Sequence, residues 1–111
     1  MGYTYEIAAG LIENYILTRL DVSSLRFNPK WFAERSYAKW AATELRLKIM
    51  NYYYDTACDF SKRYICDVYE LIDSFIDQMN LMLTIKYSRA FVIATDTAIA
   101  IKGYLENYKF I

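Results

Sequence analysis

TACDFSKRYICDVYELIDSFIDQMN, residues 56–80, carries the cleanest helical repeat in the chain. Phe60, Tyr64, Val68, Leu71, Ile72, Phe75 and Met79 gather on one broad face, and Asp59, Arg63, Asp67, Glu70, Asp73 and Asp77 line the other. Apolar residues at three- and four-residue steps predict an amphipathic α-helix. Its stripe must be covered by another element, because a helix with one apolar face is stable in water only when that face is packed. The neighbouring sequence therefore has to supply partners.

Upstream, Phe27-Asn28-Pro29 marks a helix start. Asn28 is a good N-cap, and Pro29 falls at the first helical position, where a missing N–H costs nothing. Phe27 and Phe32 are spaced for a hydrophobic staple. This helix should run over 29–54, with Asp55-Thr56 as a restart and Thr56 and Asp59 at capping-box spacing. The alternative is one kinked helix through 29–80. A first helix is expected over 3–20, with Ile7, Ala8, Leu11, Ile12, Tyr15 and Ile16 on its apolar side and Glu6, Glu13 and Asn14 opposite.

Downstream, residues 80–87 read equally well as helix, loop or short strand. Ser88 can cap a fourth helix over 89–108, in which Ala90, Ala94 and Ala98 recur at i+4 and permit close helix–helix approach; Gly103 weakens its end. Three glycines and one proline leave little material for turns or strands. The chain is expected to be a single all-α domain over 1–111, a compact bundle of about four helices. At 111 residues it is long enough for a core without metal or disulfide.

Composition narrows the chemistry. There is no histidine, which removes Ser-His-Asp and Cys-His nucleophiles, His-based zinc sites and the Glu-x-x-His di-iron signature. No phosphate-cradling glycine loop or nucleophile elbow is present, and no EF-hand loop. Cys58 and Cys66, placed on one helix by this reading, would be ~12 Å apart, too far for a mutual disulfide. They read as small hydrophobes of a reducing compartment. No N-terminal signal pattern and no membrane-length apolar run appear, so the expected location is cytoplasmic. No cofactor, no metal and no catalysis are expected.

Charge is balanced at thirteen residues of each sign but unevenly spread. Residues 26–48 hold six cations and two anions, a net of +4; residues 55–77 hold six anions and two cations, a net of −4. Arg35, Lys39 and Arg46 align along one side of the second helix, bordered by Trp31, Ile49 and Tyr53, with Trp40, Leu47 and Met50 on another flank. A helix apolar on two sides must bury both or offer one to a partner. Trp and Arg are the residues that anchor protein interfaces. Asp67, Glu70, Asp73 and Asp77 form the complementary acidic stripe, expected to face water. Opposite stripes could favour antiparallel pairing within a bundle or guide a symmetric dimer.

Twelve tyrosines exceed what a small core readily fills. Tyr52, Tyr53 and Tyr54 project in different directions, so at least one should meet solvent, and Tyr104 and Tyr108 form an i, i+4 pair. The expected function is protein–protein contact, as a homo-oligomer or as a regulator of a larger partner. Trp31, Arg35, Lys39, Trp40 and Arg46 are the candidate anchors. Nucleic-acid binding through helix 29–54 is the alternative, and it requires a steep salt dependence. The small, neutral, tyrosine- and isoleucine-rich composition resembles that of accessory proteins of viruses and mobile elements, a likeness that no motif carries.

Overall fold

The computed structural model describes residues 2–20, 29–58 and 68–108, all helical apart from a short connection at 86–88 and the final turn. Four helices account for it: α1 (Gly2–Tyr15), α2 (Pro29–Cys58), α3 (Val68–Ile85) and α4 (Arg89–Asn107). The all-α bundle expected from periodicity is the observed fold. Among the described residues no helix is long and apolar enough to cross a membrane.

Helix α1 ends in a π-helical turn, Ile16–Leu20. Wider i→i+5 bonding delays the helical register. Continued as an ordinary α-helix, the chain would bring Arg19 toward the face of Ala8 and Ile12 and carry Leu20 away from it. With the wider turn, Leu20 is buried and Arg19 is exposed. Thr18 Oγ1 donates to the carbonyl of Asn14 at 2.8 Å within the same stretch.

Cross-helix contacts fix the directions. Tyr5 packs on Tyr52 and Tyr53, and Glu13 meets Arg46, so α1 runs antiparallel to α2. Glu34 accepts from Arg89 at 2.6 Å, and Ala38 shares a depression with Ile93 and Thr97, so α2 and α4 run parallel. Asp73 binds Lys102 at 2.9 Å, which places α3 antiparallel to α4.

The helices are not arranged in chain order. α4 packs extensively on both α2 and α3 and also touches α1, whereas α2 and α3 meet lightly. Reading across the molecule gives α1, α2, α4, α3. The tight α2–α4 approach has a simple cause: small residues let helix axes come close. Ala41, Ala42, Ala94 and Ala98 are all at zero exposure, with Leu45, Ile49, Ile101 and Leu105 completing the same core. Of the alanine series, Ala94 and Ala98 lie within it, while Ala90 is partly exposed.

Several local expectations are revised. α2 does not stop at Tyr54: it continues through Asp55 and Thr56 to Cys58, so Thr56 is a helical residue rather than an N-cap. Asp and Thr cost only a few tenths of a kcal/mol in a helix interior, and Tyr5 holds this end of α2 through Tyr52 and Tyr53. Cys58 accordingly belongs to α2 and not to the third helix. α3 extends past Asn80 through Leu81–Ile85, and α4 passes Gly103 without fraying. Ser88 occupies the N-cap of α4 with extended backbone, but its hydroxyl makes no capping bond; its carbonyl receives the first amides, from Phe91 and Val92. Pro29 opens α2 as expected. Asn28, Phe27, Phe60, Tyr64, Cys66 and Asp67 lie outside the described residues.

The tyrosines form two groups. Tyr5, Tyr52, Tyr53 and Tyr54 pack in succession where α1 begins and α2 ends. Tyr15, Tyr104 and Tyr108 join α1 to the end of α4; Asn14 Nδ2 donates to the Tyr104 hydroxyl at 2.7 Å, and the Tyr104 and Tyr108 hydroxyls are 3.1 Å apart. Burial pushes the Tyr15 phenol above its ordinary value of 10.0, with Arg19 pulling the other way. A folded-state pKa raised in this way means that folded protein holds the proton more tightly than unfolded chain. Stability is then intact below pH ~10 and falls as pH rises through the folded value. Tyr15→Phe is expected to remove one late-ionising phenol from an absorbance titration and to flatten the alkaline limb of the stability curve. A titration unchanged by the substitution would show that Tyr15 is not the late group.

Candidate protein-interaction surface

Helix α2 carries apolar residues on two opposite faces. The inner face, through Ala38, Ala42, Leu45 and Ile49, is buried against α1 and α4. The outer face holds Trp40 at 42% exposure, Leu47 at 44% and Tyr54 at 57%. The light contact between α2 and α3 leaves a groove of about 390 Å³ beside this face, lined by Trp40, Glu44, Leu47, Lys48 and Asn51 from α2 and Phe75, Gln78 and Met79 from α3. Insertion of α4 between α2 and α3 is what keeps the groove open. The lining mixes apolar Trp40, Leu47, Phe75 and Met79 with polar Glu44, Lys48, Asn51 and Gln78 in equal measure, a shallow channel that could receive a helix with both apolar and polar contacts.

More exposed apolar residues lie toward the α3 terminus. Met82 is one turn beyond Met79, and Leu81 and Ile85 follow on the side away from the core, with Ile85 at 77% exposure. The sequence pattern does not single these residues out, because Leu81-Met82-Leu83-Thr84-Ile85 lacks the polar interruptions that would distinguish helix from strand. Their excess of apolar residues over available core is the signal that could have found them.

The predicted anchors separate. Trp40 lies in the groove wall. Arg46 is turned toward α1, 3.6 Å from Glu13, and its Nε is buried without a hydrogen-bond partner. Arg35 lines a different, shallow depression of about 250 Å³ between the end of α1, α2 and α4, together with Leu20, Ala38, Thr97 and Asp96. Lys39 is partly buried on the α1-facing flank of α2 and engaged in an intramolecular interaction. Trp31 is helical, but its side chain lies outside the described residues. Glu70, Asp73 and Asp77 are exposed on α3, opposite its buried Val68, Leu71, Ile72, Phe75 and Met79. Asp73 is answered by Lys102 of α4. Among the described residues no three acids or cysteines converge as a metal cage would require. The acidic series is a line along a helix.

Comparison with protein-family models, curated proteins and solved structures returns no match. The geometry of the surface therefore has to be read on its own terms. Ion pairs such as Arg46–Glu13 and Lys102–Asp73 are largely solvated and contribute at most about 1 kcal/mol each. The apolar outer face is the larger reserve: burying a large apolar side chain from full exposure contributes roughly 1.5–3 kcal/mol, and somewhat under half of that remains to be gained at Trp40 and at Leu47. A partner that covered Trp40 and Leu47 together would gain more from them than from any single ion pair of the basic stripe.

Proposed function

We propose that this is a non-catalytic helical protein that acts through protein–protein contact, with the outer face of α2 and the adjoining α2–α3 groove as its working surface. The observation that carries the reading is the pair of apolar faces on α2, one filled by the bundle and the other holding a half-exposed tryptophan and leucine over a groove. Tryptophan is one of the residues enriched among the anchors of protein interfaces. The basic residues support a role in orientation more than in affinity, because Arg46 already answers Glu13.

A photoreactive residue placed at position 47 tests the proposal in cells expressing the chain. Protein adducts are expected at 47, whether to a copy of itself or to another protein, and are expected to disappear when Trp40→Glu is added. The same probe at Glu106, exposed on α4, serves as the comparison. Equal or absent labelling at the two positions would sink the role assigned to the outer face.

A further inference from the structure

Along the outer face, Trp40, Leu47 and Tyr54 fall one heptad apart, and Thr43 and Met50 occupy the intervening positions four residues before Leu47 and Tyr54. Apolar residues at the first position of successive heptads, with a second position three residues on, make the seam of a two-stranded coiled coil. The buried face of α2 points the other way; Trp40, Thr43, Leu47 and Tyr54 are exposed and Met50 is partly covered, so the seam stays open to solvent along most of its length, with α3 flanking it beside Trp40 and Leu47. At 1.5 Å per residue α2 is ~45 Å long, enough to carry the seam beyond two heptads.

We propose that this face pairs with the same face of a second copy of the chain, the two α2 helices lying side by side, parallel and in register. This rests on the reading of the outer face as an interaction surface and commits it to one occupant. The charges flanking the seam favour that occupant and that direction. Lys39 and Arg46 stand on one edge; Glu44 and Asn51 stand on the other, each five residues further along. In a parallel pair the edge residue of one helix faces the opposite-edge residue five places on in its mate. Lys39 then meets Glu44 of the second copy, and the two-fold axis repeats the contact, while Arg46 stays with Glu13 of its own chain. An antiparallel pair would instead set the basic edge against the basic edge. With little more than two heptads of seam and a threonine within it, the dimer is expected to form in the micromolar range.

The test combines light scattering with engineered cross-linking on the full chain, in a background where Cys58 and Cys66 are both replaced by serine. At high micromolar concentration the particle mass should approach twice the 13.1 kDa of the chain. Thr43→Cys, at a seam position, should form an intermolecular disulfide under mild oxidation, because parallel register brings the two copies of that residue within bridging distance. Glu44→Lys should weaken the dimer by about tenfold or more, because it sets a second cation against Lys39 of the mate; Lys39→Glu combined with Glu44→Lys should restore it. Circular dichroism of each variant confirms that the fold persists. A monomer at all concentrations, a dimer in which Thr43→Cys does not cross-link, or a charge swap that fails to rescue would each overturn the proposal. Adducts from position 47 to a different protein, with the purified chain monomeric, would overturn the self-pairing while leaving the interaction surface standing; no adduct at all would remove both.

Discussion

Leu45→Ala is expected to destabilise the protein by about 2–5 kcal/mol, the range for emptying a leucine site that cannot collapse, while Leu47→Ala two residues away leaves the stability of the isolated chain within about 0.5 kcal/mol. The contrast follows from one helix having two fates. Leu45 has zero exposure, in the same core as Ala41, Ala98 and Ile101, and the close α2–α4 approach leaves no loose segment to fill a void. Leu47 is 44% exposed, so its removal exposes little that is now covered. Urea denaturation monitored by circular dichroism measures both. The midpoint of Leu45→Ala should fall sharply at unchanged slope, since a change of midpoint alone reports a change of stability. If Leu47→Ala proved the more damaging in dilute solution, the assignment of inner and outer faces would be wrong. Association should respond in the opposite order: Leu47→Ala should weaken it, and whatever fraction of Leu45→Ala remains folded should retain it.

The second large effect is expected at Ala98. Leucine there adds three carbons at a fully buried position of the core shared by α2 and α4, and overpacking of this kind costs about 1–3 kcal/mol, more where neither backbone can shift. α4 has little freedom to shift, because it is held by Glu34 on Arg89 at its start, Asp73 on Lys102 near its end, and α3 along its other side. A melting temperature lowered by roughly 4–8 °C per kcal/mol is the expected readout for a domain near this size. Ile99→Ala supplies the control, since Ile99 is 55% exposed on the adjacent position of the same helix and its loss should be nearly silent. An Ala98→Leu protein that melts with the parent would mean that α2 and α4 are not in close contact at this point.

How much of this was legible in the chain differs from helix to helix. In α3 the apolar residues repeat on one face without interruption, and Val68, Leu71, Ile72, Phe75 and Met79 are all buried as their spacing requires. Pro29 opens α2 because its ring fixes the backbone of the first turn. The far end of α2 was not legible. Asp55-Thr56 is a sound local start signal, but it competes with a helix already running and anchored by ring contacts from Tyr5, far away in the chain. No local pattern reports that contact. The π turn at the end of α1 was hidden for a related reason: Arg19 and Leu20 exchange places relative to an ideal helix, which becomes meaningful only once the core they face is known.

The candidate site was legible in part. Trp40 stood out because a second apolar flank on a basic helix is not explained by a single core, and Leu47 was on the same flank. The basic residues were harder. Arg35, Lys39 and Arg46 align on a helical wheel, yet Arg46 faces α1 and Arg35 faces the junction of three helices. Alignment on one helix says nothing about which neighbour that side meets. The neighbour order itself, with α4 between α2 and α3, depends on alanines that declare their pairing only when both helices are placed.

That spatial order bears on how the chain acquires its fold during synthesis. The helix that α2 and α3 both need is the last of the four to leave the ribosome. Until it emerges, α2 can find α1, but the core face of α3 has no proper seat and the alanine stripe of α2 stays open. Domains generally fold as units during translation; here the unit closes only once α4, ending at Asn107, has been made. Nascent protein must therefore carry the α4-facing stripe of α2 uncovered from the time α2 is made, joined by that of α3 until α4 follows, and it is in that interval, more than in the finished molecule, that chaperones and proteases would find the most to hold.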